Sequence, residues 1–317
     1  YFGIGENSTS LLSFGLDSDG GFFKTIDALL KLIDVCGKKF IDDNSETKIG
    51  NPDDVFNIGN KDYNFNDLHA INNLHLIKNV LKQDPKIILE IGGGYGCLSA
   101  KLKKNFKDSK IICVDLPEAL SLQSYYLFSN FQDKKFLLYD DFQKLENPEQ
   151  LNLLDYDFII LPPWAIKKIL LTKKIDLIIN IDSMMEMKKD IIEEYFNFIQ
   201  DSLTDGGIFF NANKYEKSSS GDTVRISEYP YNRFWKVLYS NVSWYKPNIH
   251  TIISQKTSYE TDEIMSALSI LPKNNPNVQV KQTFSIKYYF KQIVRFILDI
   301  CVPFIPKKIL INLFKIY

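Results

Sequence analysis

The 317-residue chain is poor in the residues that build metal sites and disulfide frameworks. Its four cysteines, Cys36, Cys97, Cys113 and Cys301, and its three histidines stand at no spacing that fits a zinc site. Cys113 falls in an apolar run and Cys97 in a glycine turn, so reduced thiols in a cytoplasmic protein are expected. An excess of charge is also missing: 38 Lys and Arg stand against 39 Asp and Glu, a net charge of −1. No whole-chain field favours nucleic acid, and no nucleic-acid partner is expected. Residues 1–20 lack the basic start and unbroken apolar core of a signal peptide. The first residue is Tyr1 and not methionine, which leaves the natural start open. With 45% hydrophobic and 24% charged residues, the length allows one sizeable α/β domain with additions, or two small domains.

What is present centres on residues 87–96, I-I-L-E-I-G-G-G-Y-G. The first five are β-branched or apolar apart from Glu90, the pattern of a parallel strand buried on both faces. Four glycines and a tyrosine then lead into a helix over 97–106. Glycine lets a ligand approach bare backbone, and the helix start offers unpaired N–H groups. The dinucleotide fingerprint G-x-G-x-x-G fits Gly92 and Gly94 but sets Cys97 in place of the third glycine. E-x-G-x-G-x-G fits throughout, with Glu90, Gly92, Gly94 and Gly96, and with Gly93 inside it. That pattern resembles motif I of the class I S-adenosyl-L-methionine (SAM) dependent methyltransferases. The resemblance implies that the glycine backbone approaches the methionine moiety of SAM, while Glu90 attracts its ammonium directly or through water.

Ahead of this loop, apolar spacing predicts helices over 22–40 and 67–83, separated by a polar loop over 42–66. The two helices are expected to form a cap over 1–84, ahead of a methyltransferase domain over 85–258. His75 shares a helical face with Leu68 and Ile71 and reads as a packed core histidine. His69 lies on a different face and can look into a crevice from the cap. Beyond the loop the chain alternates as a doubly wound, mostly parallel sheet requires. The second strand, 111–114, ends at Asp115, about twenty residues past the glycines, where a carboxylate can accept from both ribose hydroxyls. Its alternative is a turn or capping Asp before Leu116-Pro117. A helix over 118–130 follows. The third strand is either 136–139, with Asp140 or Asp141 near the adenine, or 156–161, leading into Pro162-Pro163-Trp164. The second is favoured, because one helix-length segment then separates it from the clear strand 175–181. Pro162-Pro163-Trp164 lacks the Asn or Asp that begins the N-P-P-Y motif of amino-group methyltransferases, so amine chemistry is set aside.

The fourth strand ends in Asn180-Ile181-Asp182-Ser183, followed by Met184-Met185-Glu186-Met187. In open α/β sheets, polar residues just past a strand's carboxyl end face the ligand crevice. Asp182 and Glu186 are therefore the catalytic candidates, with His69 as a third and His250 the weakest. Asp182 serves equally well as a helix N-cap. Asn180 and Leu116 complete the expected cofactor-binding set. Asp140, Asp141 and Asp182 carry oxygens that suit a divalent cation, yet no compact ligand motif occurs and no metal is expected. A helix over 191–203, a turn over 204–207 and a strand over 208–211 follow. The D-G-G at Asp205-Gly206-Gly207 resembles the late motif of class I methyltransferases. Runs at 235–239 and 249–254 would close a seven-stranded sheet as an antiparallel pair, which separates this fold from a dinucleotide-binding domain.

Several stretches together resemble a bacterial sugar O-methyltransferase family: L-E-I-G-G-G-Y-G from Leu89, V-D-L-P-E-A-L-S-L-Q-S-Y-Y-L from Val114, P-P-W from Pro162, N-I-D-S-M-M-E-M from Asn180 and E-Y-P from Glu228. The resemblance covers about 67–256 and implies methyl transfer from SAM to a sugar hydroxyl of a surface polysaccharide or its precursor. Two alternatives remain: methylation of another small molecule or a protein, and a non-catalytic methyltransferase-like binding protein. The last region, 259–317, mixes apolar residues with Lys287, Lys291 and Arg295, and Pro303 and Pro306 break its helical pattern. It reads as an amphipathic tail that does not span a membrane. It suits either the inner face of an anionic membrane or docking on the protein's own core or a second subunit.

Overall fold

The central sheet is built from runs too apolar to leave either face in water. The computed structural model describes residues 21–276, apart from 46–47, 51, 53–54, 59–60, 171–173, 220–221 and 244–245. Most of the expected tail, and Cys301, therefore lie outside the described residues. Helices α1 (Gly21–Cys36) and α2 (Lys38–Asn44) replace the single helix expected over 22–40. Gly37 between them has φ of 79°, a left-handed backbone that ends one helix and starts the next. The expected loop that follows contains a hairpin, β1 (Phe56–Ile58) and β2 (Lys61–Tyr63), too short to show a strand pattern. Helix α3 (Phe65–Val80) is capped by Asn64, whose side chain accepts from the N–H groups of Asn66 and Asp67. It is buried on two sides. Leu68 and Ile71 pack against α1, α2 and the hairpin, while Ala70, Leu74 and Ile77 face the sheet. His75 is half-buried at the edge of Phe40 and not in the core, with Nε2 2.9 Å from the Asn79 amide.

The α/β alternation then runs β3 (Ile87–Ile91), α4 (Cys97–Asn105), β4 (Lys110–Val114) and α5 (Pro117–Asn130). It continues through β5 (Phe136–Leu137), α6 (Tyr139–Phe142), β6 (Phe158–Leu161), α7 (Pro163–Leu170) and β7 (Ile175–Ile181). Next come α8 (Lys189–Ser202) and β8 (Leu203–Lys214), then a small antiparallel pair, β9 (Glu216–Ser219) and β10 (Asp222–Arg225). The last elements are β11 (Trp235–Val242), β12 (Ile249–Lys256) and α9 (Glu263–Ser269), which returns Ile264 and Leu268 to the core.

Strand order is β11-β12-β8-β7-β3-β4-β6-β5, parallel from β8 to β5 and antiparallel at β12 and β11. The fold is the doubly wound, mostly parallel Rossmann-like sheet expected, with eight strands in place of seven. Both candidates for the third strand contribute: β6 pairs with β4, and β5 adds an outer edge, with Phe136 stacked on Phe158 at 4.9 Å. The expected turn at 204–207 is drawn into β8, where Gly206 takes φ of 81° and the register with β7 shifts. Successive strands run outward in opposite directions from β3, so the crevice between the carboxyl ends of β3 and β7 is the topological switch point.

One buried ion pair fastens the N-terminal layer to this sheet. Lys101 of α4 lies 2.5 Å from Asp67 of α3 and also donates to the Asn44 carbonyl at 2.8 Å, with both charged side chains almost fully buried. Removing one partner strands the other charge away from water, which costs far more than a surface pair. Asp67→Ala is expected to destabilise the protein by about 3–5 kcal/mol, measured by urea unfolding. A loss below about 1 kcal/mol would mean that the pair does not fasten the layer.

Candidate functional site

The glycine loop takes its shape from the carboxyl beneath it. Glu90 is 4% exposed near the end of β3, and Ser99 of α4 donates its hydroxyl to it. Burial, with the Asp115 charge as a smaller contribution, pushes the Glu90 carboxyl up to about 7 against the Ser99 hydrogen bond. Gly93 crosses directly over it. A Cβ there would lie 2.8 Å from the Glu90 carboxyl and 2.9 Å from the Gln123 amide. Gly92, at φ of 72°, is closed from the other side, since a Cβ would fall 2.1 Å from Ser183 Oγ. Gly94 is also left-handed, at φ of 57°, but among the described residues nothing lies within 4 Å of the space its Cβ would take. Gly96, at φ of 91°, precedes the first turn of α4, so backbone N–H groups open toward the crevice here. Gln123 of α5 is fully buried under the loop, and among the described residues neither atom of its amide has a hydrogen-bond partner.

Asp115 meets the same loop from the end of β4. One carboxylate oxygen accepts from Gly94 N–H at 2.9 Å and the other from Leu116 N–H at 2.8 Å. Burial raises its pKa, and these two N–H groups oppose the shift. Leu116 itself is 47% exposed at the rim. Beyond it, Trp164 donates its indole N–H to the Tyr139 hydroxyl at 2.9 Å. Asp140 and Asp141 are exposed on α6, with Asp141 paired to Lys144. Among the described residues no group of three or more His, Cys, Asp and Glu could hold a metal ion.

The β7 side is fixed by an amide network. Asn180 is fully buried and donates to the Ile91 carbonyl at 3.0 Å and to Ser183 Oγ at 2.5 Å. Its own oxygen accepts from Met184 N–H and from Asn213, whose amide also donates to Asn211. With both ends of its side chain engaged, Asn180 locks the end of β7 to the end of β3. Asn211 and Asn213 were not singled out from the sequence, although paired asparagines at the end of an apolar strand were the available signal.

Asp182 follows with φ of 56°, the one left-handed residue other than glycine among the described residues. Its N–H donates to the Ala212 carbonyl at 2.8 Å, and a carboxylate oxygen lies 3.3 Å from the Lys246 ammonium. His69 of α3 is half-buried and feels the same lysine. Burial, and to a lesser degree Lys246, holds the imidazole down to about 3 and hence neutral, with Nε2 3.1 Å from the Asn73 amide. Lys246, which sequence reasoning missed, is thus paired with one catalytic candidate, Asp182, and acts electrostatically on another, His69. The third, Glu186, is exposed and paired with Lys217. His250 belongs to the sheet instead. It is buried between the hydroxyls of Tyr215 and Ser240, at 2.8 Å from each, and burial lowers it to about 4.

Compared with known proteins, the sequence matches no family model and no curated protein. Solved structures similar to it include the mitomycin 7-O-methyltransferase MmcR, at TM-score 0.39 and 12% identity over 61% of this chain and 57% of that one. TrmN from Thermus thermophilus aligns at TM-score 0.41 and 11% identity over 59% of this chain and 48% of its own. The ribosomal protein L11 methylase of Lactobacillus delbrueckii subsp. bulgaricus aligns at 0.37 and 11% over 58% and 76%. This chain therefore spans about half the length of the first two. Likeness this distant carries nothing about ligand or substrate, which rest on the residues of the crevice.

The folded value of Glu90 lies above its ordinary 4.5, so its contribution to stability is full below about 4.5 and is lost as pH rises through about 7. Urea unfolding at pH 5 and pH 8 is expected to show this loss, on the order of 3 kcal/mol, and Glu90→Gln is expected to abolish it. An unchanged slope in the variant would show that Glu90 is not the titrating group.

Proposed function

We propose that the chain is a SAM-dependent O-methyltransferase that methylates a sugar hydroxyl of a surface polysaccharide or its precursor. The observation that supports this most strongly is the open face at Gly94. It lies at the switch point, with two carboxyls, Glu90 and Asp115, on one side and Asp182, Lys246 and His69 on the other. The first side fits the cofactor. Glu90, burdened by desolvation, is stabilised in its charged form by an ammonium, and Asp115 suits a pair of ribose hydroxyls. A side chain at Gly94 would enter the space the ligand needs.

SAM supplies, when bound, a methyl group made electrophilic by its sulfonium. The chain's own tasks are to hold an acceptor hydroxyl in line and to remove its proton as the new O–C bond forms. Asp182 is the base by position: it stands at the end of β7, fixed by its hydrogen bond to β8 and by Lys246. Its carboxylate would take the proton of the acceptor hydroxyl as that oxygen attacks the methyl carbon and the carbon–sulfur bond of bound SAM breaks. His69, kept neutral, offers the acceptor a hydrogen bond without adding charge beside the sulfonium. The choice of a sugar rests on the resemblance carried by residues 114–127, 162–164, 180–187 and 228–230.

Asp182→Asn is expected to lower kcat about 10²- to 10⁴-fold with S-adenosylhomocysteine affinity unchanged, read by labelled methyl transfer to polysaccharide precursors and by calorimetry. Label recovered in protein or in a small-molecule fraction would redirect the acceptor. Gly94→Asn, which tolerates a left-handed backbone, should weaken S-adenosylhomocysteine binding at least about tenfold while shifting stability by no more than about 0.5 kcal/mol. Undiminished affinity in that variant would move the cofactor away from the loop.

A further inference from the structure

Gln123 is a buried polar side chain that the methyl-transfer chemistry leaves unused. It sits midway along α5 with none of its surface exposed, and among the described residues neither Nε2 nor Oε1 has a hydrogen-bond partner. A primary amide taken out of water offers two donors and an acceptor, so leaving them unmet costs folding free energy. A methionine would fill the same space at no such cost. An orphaned group of this kind is kept where another state of the molecule uses it.

The surroundings of the amide point to that use. A Cβ on Gly96 would stand 3.1 Å from Gln123 Cγ, and one on Gly93 would stand 2.9 Å from Gln123 Nε2. That same point at Gly93 is 2.8 Å from Glu90 Oε2. The amide and the carboxyl therefore converge from α5 and β3 on the underside of the loop, near one another yet unbonded. With the carboxyl neutral, little is gained by closing the gap. A charged carboxylate has acceptor capacity beyond the one Ser99 hydroxyl, and a hydrogen bond to an ion is worth more than a neutral one. Of the other ionisable groups linked electrostatically to Glu90, Asp115 opposes its charge, and Cys97 and Cys113 are thiols that burial holds protonated. The amide is the strong donor at hand. We infer that Gln123 is a positioning residue for the cofactor: when an ammonium bound at the loop's open face holds Glu90 charged, the Gln123 amide N–H closes on the carboxylate and clamps the glycine loop between β3 and α5. The inference rests on the methyl-transfer reading above and adds to it a means of sensing the amino-acid end of the ligand.

The test pairs two measurements on Gln123→Met in the full chain. Methionine keeps the shape and removes the unmet polar atoms, so the urea midpoint of the unliganded protein should rise. S-adenosylhomocysteine affinity, by calorimetry, should fall at least about tenfold. A role in packing alone would not move the two in opposite directions. 5′-Methylthioadenosine, which has the nucleoside but no ammonium, should bind wild type and variant equally. In the Glu90→Gln background the effect of Gln123→Met on S-adenosylhomocysteine affinity should shrink to less than about threefold. Unchanged S-adenosylhomocysteine affinity in Gln123→Met, or an equal loss for 5′-methylthioadenosine, would overturn the inference and leave the methyl-transfer reading standing. So would a midpoint that falls in Gln123→Met and in Gln123→Leu alike, since the amide would then be met within the unliganded fold. If the wild-type chain binds no S-adenosylhomocysteine, the methyl-transfer reading falls, and the inference with it.

Discussion

A carboxyl group taken out of water beneath a turn of glycines is the constraint on which the rest of this molecule depends. Glu90 occupies the space that a side chain at position 93 would need, and among the described residues its hydrogen-bonding compensation comes from Ser99 in the first turn of α4. The loop must therefore be glycine where it crosses the acid, and the helix must begin where Ser99 can reach back. Desolvation leaves the carboxyl poised near neutrality, so any cation that arrives beside it recovers free energy that folding gave up. Asp115 adds a second carboxyl within electrostatic reach of the first, which makes the β3 and β4 side of the crevice a place for a positive group.

The β7 and β8 side carries ion pairs instead, Lys246 with Asp182 and Lys217 with Glu186, and burial, with Lys246 as a smaller contribution, holds His69 neutral. Between the two halves runs the amide network of Asn180, Asn211 and Asn213, which uses buried hydrogen bonds to fix the ends of β3, β7 and β8 relative to one another. The left-handed backbone at Asp182 follows directly after this network, so its strain is supported by fully engaged neighbours.

Much of the sheet was legible because strands buried on both faces leave unmistakable apolar runs: β3 and β7 fall on the residues expected. The short elements were not legible. Phe136–Leu137 is an edge strand of two residues paired with β6, and the β1/β2 hairpin has strands of three, too few for alternation to show. Gly37 divided a helix because its backbone is left-handed, a property that periodicity does not report. In the crevice, the glycines, Glu90 and Asp115 announced themselves by spacing. Lys246, Ser99 and the asparagine pair did not, because their contacts come from strands and loops distant in sequence that the topology brings together.

Calorimetry of S-adenosylhomocysteine binding at pH 7, repeated in two buffers of different ionisation heat, tests the central claim most directly. With the Glu90 carboxyl poised near 7, an arriving ammonium should lower it, so binding is predicted to release part of a proton in the wild-type chain and none in Glu90→Gln. Absence of binding, or a binding heat that does not depend on the buffer, would contradict the account.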